Sequence, residues 1–124
     1  MPPRRRIDPR EGRAAVVRWH ASPTEADRTT TATAVRYTLE ELSLQAPGNS
    51  VEVRVPPYGA VQVIEGPRHK RGTPTNVIEM TADSWLAMVT GSITWEDAEA
   101  SGRVRASGQR ADLSAYLPLV KLDP

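Results

Sequence analysis

Residues 76–108 read NVIEMTADSWLAMVTGSITWEDAEASGRVRASG, and their order of elements decides the architecture. Asn76 to Met80 forms a short strand signal. Thr81 or Asp83 then caps a helix carrying Trp85, Leu86, Met88 and Val89, and Gly91 stands just past its end. Those four apolar residues cover more than one narrow stripe, so this helix is expected to be contacted on two sides. Thr94, with Asp97 three residues on, repeats the same grammar for a second short helix that Gly102 stops. A small strand follows, with Val104 and Ala106 toward the core and Arg103 and Arg105 toward water. Gly108 then releases the chain into a closing helix that carries Leu113, Tyr116 and Leu117 and ends at Pro118.

Working upstream, SVEVRV alternates cleanly, Val51, Val53 and Val55 against Glu52 and Arg54, and PPYG turns it into AVQVIE. This is a β-hairpin with a four-residue loop, in which Pro56 and Pro57 belong at the turn because they cannot donate ladder hydrogen bonds. Before it, Ala32, Val35, Leu39, Leu42 and Ala46 recur at three- and four-residue steps until Pro47 and Gly48 stop the helix. Arg36, Tyr37, Glu40 and Glu41 should point away from that stripe, with Arg36 and Glu40 as a surface pair. Ser22, Pro23 and Glu25 mark its start, although the threonines at 29–31 are poor helix formers. A first helix runs from Pro9, behind an Asp8 cap, to about His20, with Ala14, Val17 and Ala21 on its apolar stripe and Trp19 nearby.

The 124 residues fit one domain with one core. Residues 1–28 are read as an N-terminal helical extension and 29–124 as the body. The order helix, helix, hairpin, strand, two helices, strand, helix belongs to an α+β domain, helices packed over a mainly antiparallel sheet. A net charge of +1 exerts no global pull on nucleic acid. Residues 1–20 carry six arginines against Asp8 and Glu11, which reads as a solvated helix face. With no cysteine, disulfides, thiolate catalysis and Cys-based zinc sites are excluded. No run reaches the roughly 18 apolar residues of a membrane span, so a cytoplasmic protein without stable membrane insertion is expected. Arginine outnumbers lysine 14 to 2, a codon bias of GC-rich bacteria rather than chemistry.

Catalytic signatures are missing. The two histidines, His20 and His69, lack any spacing that would put both on one metal. No GxSxG elbow and no GxGxxG or GxxxxGK[ST] cradle occurs. Adjacent carboxylates such as Glu40 with Glu41 or Glu96 with Asp97 point apart and make no shared-proton dyad. No catalytic residue, metal or cofactor is assigned, and the expectation is a protein that is not an enzyme. In the basic loop GPRHKRGTP, Arg68, His69 and Arg71, together with Lys70, are candidates for contact with a phosphate or carboxylate; a solvated loop tip is the other reading.

From Asn76 onward the pattern resembles the sterol carrier protein family. Thr81, Asp83, Trp85, Leu86, Gly91, Trp95 and Ala98 match it, as does a strand written Ser-Gly-x-Val-x-x-x-Gly at Ser101, Gly102, Val104 and Gly108. The whole chain looks like the short sterol-carrier-like proteins of actinobacteria, through RRRIDP, AVRYTLEEL, GNSVEVRVPPYGAVQVIEG and ASGRVRASGQRADLSAYLPL. The resemblance implies a mixed five-stranded sheet with helices on one face; the residues place four strands, so a sheet of four to five is expected, the fifth either short and between Gly66 and Pro74 or absent. The resemblance further implies an apolar tunnel that holds a lipid, fatty acyl chain or sterol-like molecule without transforming it. The end YLPLVKLDP lacks the Ser-Lys-Leu tripeptide that directs some family members to peroxisomes.

Two functional expectations follow. In the first, Trp85, Met88, Val89, Ile93, Trp95, Leu113, Tyr116 and Leu117 line an apolar pocket under the helices, where Met and aliphatic side chains suit a flexible chain. In the second, the same residues fill an ordinary core and the protein is a small interaction or accessory module, with a homodimer as one form of it. An edge strand near Pro56 or the arginine-rich first helix would then be the working surface.

Overall fold

In the computed structural model, which describes residues 5–66 and 76–122, the chain opens with helix α1 (Pro9–Ala21). The Asp8 carboxylate accepts from the Arg10 amide at 2.8 Å, and Pro9 sits where an amide hydrogen is not needed. Its buried stripe is Gly12, Ala15, Val16 and Trp19, not Ala14, Val17 and Ala21; Val17 is 47% exposed. Trp19, the largest apolar group on the helix, takes the inner face. Gly12 belongs to that stripe because a neighbouring ring needs the space, a use of glycine that apolar periodicity does not register.

Helix α2 (Arg28–Gln45) starts later than Ser22–Glu25. Asp27 is its cap, accepting from the Thr30 amide at 2.7 Å, and the threonine run lies inside the first turn. A satisfied cap and a packed inner face outweigh the few tenths of a kcal/mol that each β-branched residue forfeits in a helix, roughly. Tyr37 is buried rather than outward-facing, laid against Gly12. Burial, with the Glu41 carboxylate beside it, pushes the Tyr37 phenol above its usual range.

The Asp27 cap makes a testable pH signature. Hydrogen bonds from Thr30, with Arg18 nearby, hold the Asp27 carboxyl below the ordinary aspartate range. A pKa lowered by folding stabilises the protein above the unfolded value, and that contribution disappears as pH falls through the folded value. Asn caps about as well as Asp but does not titrate. Thermal melts of Asp27→Asn from neutral to strongly acid pH should therefore show less acid destabilisation than the parent, whereas Asp27→Ala should be weaker at neutral pH as well.

Strands β1 (Val51–Val55) and β2 (Gly59–Val63) form the expected antiparallel hairpin, with Val53 opposite Val61. Strand β3 (Asn76–Met80) adds to β1 in parallel, Val53 beside Ile78, and β4 (Val104–Ser107) adds to β3 antiparallel. The sheet is mixed, in the order β2-β1-β3-β4, four strands among the described residues. The segment between Gly66 and Pro74, the place for any fifth strand, lies at 67–75 outside the described residues. One face is apolar and covered by helices: Val51, Val53, Val55, Ile78 and Met80 are buried, while Glu52, Arg54, Val77 and Glu79 alternate toward the other side. Ala106 lies on the covered face opposite Ile78 yet is exposed, because the cover that α4 (Trp95–Ala100) gives this edge strand ends at Val104.

Helix α3 (Ala82–Val89) is capped by Thr81, not Asp83, with the Ser84 amide donating to the Thr81 hydroxyl at 3.2 Å. Trp85, Leu86, Met88 and Val89 are all buried, as two-sided contact requires, and α3 packs against α1, α2 and α4. Thr94 caps α4 through the Asp97 amide at 3.0 Å, and Gly102 follows at φ +78°. Nothing lies within 4 Å of where a Gly102 Cβ would sit, so its requirement is the left-handed backbone alone.

The closing α-helix after Gly108 does not form. The Asp112 side chain accepts from the Ser114 amide, and only a 3-10 turn at Ser114–Tyr116 results. The span between Gly108 and Pro118 is short, and Pro118 disfavours helical backbone at Leu117. The chain instead straps over α3, the Leu119 and Val120 amides both donating to the Val89 carbonyl. Asn76 ties the other end of the sheet: its side chain donates to the Ser50 carbonyl at 2.9 Å and accepts from the Arg110 amide at 3.0 Å.

Candidate functional site

The eight apolar residues expected to line one pocket divide between two places. Trp85, Val89 and Leu113 are wholly buried in the core, where the Trp85 indole donates to the Thr38 hydroxyl at 2.8 Å. Met88, Ile93, Trp95 and Leu117 line a small cavity of about 240 Å³ between the end of α3, the start of α4 and the C-terminal strap. Tyr116 is half-buried against the core and does not line it. The candidate anion contacts Arg68, His69 and Arg71 lie outside the described residues.

A much larger concavity, about 860 Å³, lies between α2 and the β1–β2 hairpin. Helix and strand run alongside each other: the Arg36 side chain meets the Tyr58 carbonyl at one end, and the Ile64 amide meets the Ala46 carbonyl at the other. The space between them exists because the facing side chains are small. Ser43 stands on the helix and Gly59 on the covered face of the strand, while Ala60, opposite Arg54 in register, belongs to the other face of the sheet. Leu39, Val61, Tyr58 and Ile7 supply the apolar walls.

Its rim is charged and specifically arranged. The expected Arg36–Glu40 pair does not form. Glu40 instead accepts from the Arg6 amide at 2.9 Å and the Ile7 amide at 3.0 Å, so the segment before α1 is pinned across the groove as one of its walls. Arg5 forms an ion pair with Glu41. Arg36 donates through Nε to the Tyr58 carbonyl at 3.0 Å, which fixes the guanidinium at the hairpin end. Side-chain periodicity does not reveal this, since Glu40 is spent on the backbone of residues more than thirty positions away. The available signal is charge alone, an arginine run at 4–6 and an acidic pair at 40–41.

The concavity has apolar walls at Ile7, Leu39, Tyr58 and Val61 and charged groups, Arg5, Arg6, Arg36 and Glu40, around it. Among the described residues, no group of three or more His, Cys, Asp or Glu side chains is placed to hold a metal ion. No described helix is long and apolar enough to cross a membrane.

Comparison with known proteins bears on the same elements. No curated protein matches the chain. A family model described as "Bacterial SCP ortholog" matches residues 27–119, from the Asp27 cap of α2 to the C-terminal strap, leaving α1 and the segment before it outside. With three quarters of its length matched and an α+β fold whose mixed sheet carries helices on one face, the chain belongs to the sterol carrier protein family, in its bacterial branch.

Proposed function

We propose that the protein binds an apolar ligand, a lipid or fatty acyl chain, in the groove between α2 and the β1–β2 hairpin, and carries it through the cytoplasm without transforming it. The observation that supports this most is the groove itself. At about 860 Å³ it falls in the range of small-molecule sites, roughly 300–1,000 Å³, as do two concavities of about 440 Å³ beside Arg10 and beside Arg103, but it is the one walled by Ile7, Leu39, Tyr58 and Val61; the cavity beside Met88 and Trp95, about 240 Å³, falls below the range. The family supports lipid binding in general.

Native mass spectrometry of the purified protein should reveal a co-purifying lipid. After delipidation, the fluorescent fatty acid cis-parinarate should bind at one molecule per chain. Val61→Trp, which places an indole in the groove, should abolish that uptake while circular dichroism and melting temperature stay close to the parent. Failure of the delipidated parent to take up the probe would favour the accessory-module reading.

A further inference from the structure

We propose that residues 5–7 form a gate over the groove, latched by the Glu40 carboxylate, and that a ligand enters and leaves when this segment lifts. This rests on the reading of the groove as a lipid site and names what controls access to it.

The groove has walls of two origins. Helix α2 and the β1–β2 hairpin lie within the stretch matched by the family model, whereas Arg5, Arg6 and Ile7 lie before it and are this chain's own addition. Ile7 turns a partly buried side chain to the core and the groove, so the added wall is apolar on its inner side.

The hold on that wall is narrow. Residues 5–7 take no part in a helix or strand, and among the described residues none of their amides or carbonyls bonds to another backbone group. The polar hold comes instead from two neighbouring carboxylates of α2. The Arg6 amide donates to both Glu40 oxygens, at 3.1 and 2.9 Å, and the Ile7 amide donates to one of them at 3.0 Å. Arg5 pairs with Glu41, but its guanidinium stands in solvent, where ion pairs contribute little. Glu40 therefore carries most of the latch, since hydrogen bonds to an ionised acceptor are the strong ones.

The next element cannot follow the segment outward. Asp8 caps α1, and α1 is fixed by the buried Val16 and Trp19. Releasing residues 5–7 gives up one carboxylate's bonds and the Ile7 contact, whereas releasing α1 would expose part of the core. Local opening at the segment is the low-cost motion, and it widens the groove on the side that the family-matched walls leave open.

Stopped-flow mixing of the delipidated full chain with cis-parinarate, followed by displacement with excess oleate, gives the rates of uptake and release. Glu40→Ala should speed both about tenfold, so that their ratio, Kd, stays within about threefold of the parent. A tenfold change is about 1.4 kcal/mol, near the worth of one hydrogen bond to a charged group. Glu40→Gln, which keeps an acceptor oxygen for the two amides, should fall between parent and Glu40→Ala. Hydrogen exchange reads the latch apart from binding: in Glu40→Ala the Arg6 and Ile7 amides should lose protection while those of Val16 and Trp19 keep it. Faster release with unchanged uptake would make the segment a fixed contact and overturn the gate, as would unchanged rates. Loss of protection along α1 as well would overturn the local opening. A parent that takes up no cis-parinarate would overturn the lipid reading on which the gate depends.

Discussion

Replacing Trp85 with alanine should destabilise the protein by about 3–5 kcal/mol, a lowering of the melting temperature on the order of 10 °C or more. Trp85 is the largest wholly buried side chain, on a helix that touches α1, α2 and α4, so no single neighbour can move in to fill the space. The polar part of the loss is minor. The Thr38 hydroxyl that accepts from the indole also donates to the carbonyls of Ala34 or Val35, at 2.7 and 3.0 Å, and is not orphaned when the indole goes. Most of the loss therefore comes from the emptied volume, and Trp85→Phe, which keeps a ring but no donor, should cost markedly less than alanine. Denaturant unfolding of the two variants measures both values. Equal losses would show that the hydrogen bond, not the packing, carries the energy.

Gly12→Val should destabilise by roughly 3 kcal/mol, at or above the upper end of ordinary overpacking. A Cβ at Gly12 would collide with Tyr37 Cγ and lie 2.6 Å from Tyr37 Cβ, so the contact involves the base of the ring rather than a mobile tip. Either α1 lifts from α2 or Tyr37 leaves its buried position. The helix-propensity gain over glycine is only a few tenths of a kcal/mol, about a tenth of the clash. Because the strain is confined to the α1–α2 contact, Gly12→Val combined with Tyr37→Ala should be less destabilised than the two single changes added together. Simple additivity in a double-mutant cycle would contradict this packing of Tyr37 on Gly12.

The elements whose signals are local are legible in the sequence. Thr81 and Thr94 announce α3 and α4 through side chains that cap their own helices, and alternating valines announce β1. Features that depend on partners distant in the chain are not. The α1 stripe is set by Tyr37 settling on Gly12, and in edge strand β4 only Val104 is buried while Ala106 is exposed. The C-terminal strap replaces a helix because the Leu119 and Val120 amides find the Val89 carbonyl instead of partners along their own chain.

The candidate site shows the same division. Met88, Ile93, Trp95 and Leu117 are legible as apolar neighbours and do share a cavity. The larger groove is silent in the sequence because its facing positions are small, Ser43 and Gly59, and small residues leave no hydrophobic signal. Its pinned wall depends on one carboxylate gathering two backbone amides, a contact that no residue type announces.

A ligand seated between α2 and the hairpin would be detected most directly by titrating isotopically labelled, delipidated protein with laurate and following its amide resonances. The largest changes should fall on Arg36, Glu40, Ser43 and Tyr58 to Val61, with little at Met88, Ile93, Trp95 and Leu117. Changes concentrated on that second set would contradict a ligand in the groove.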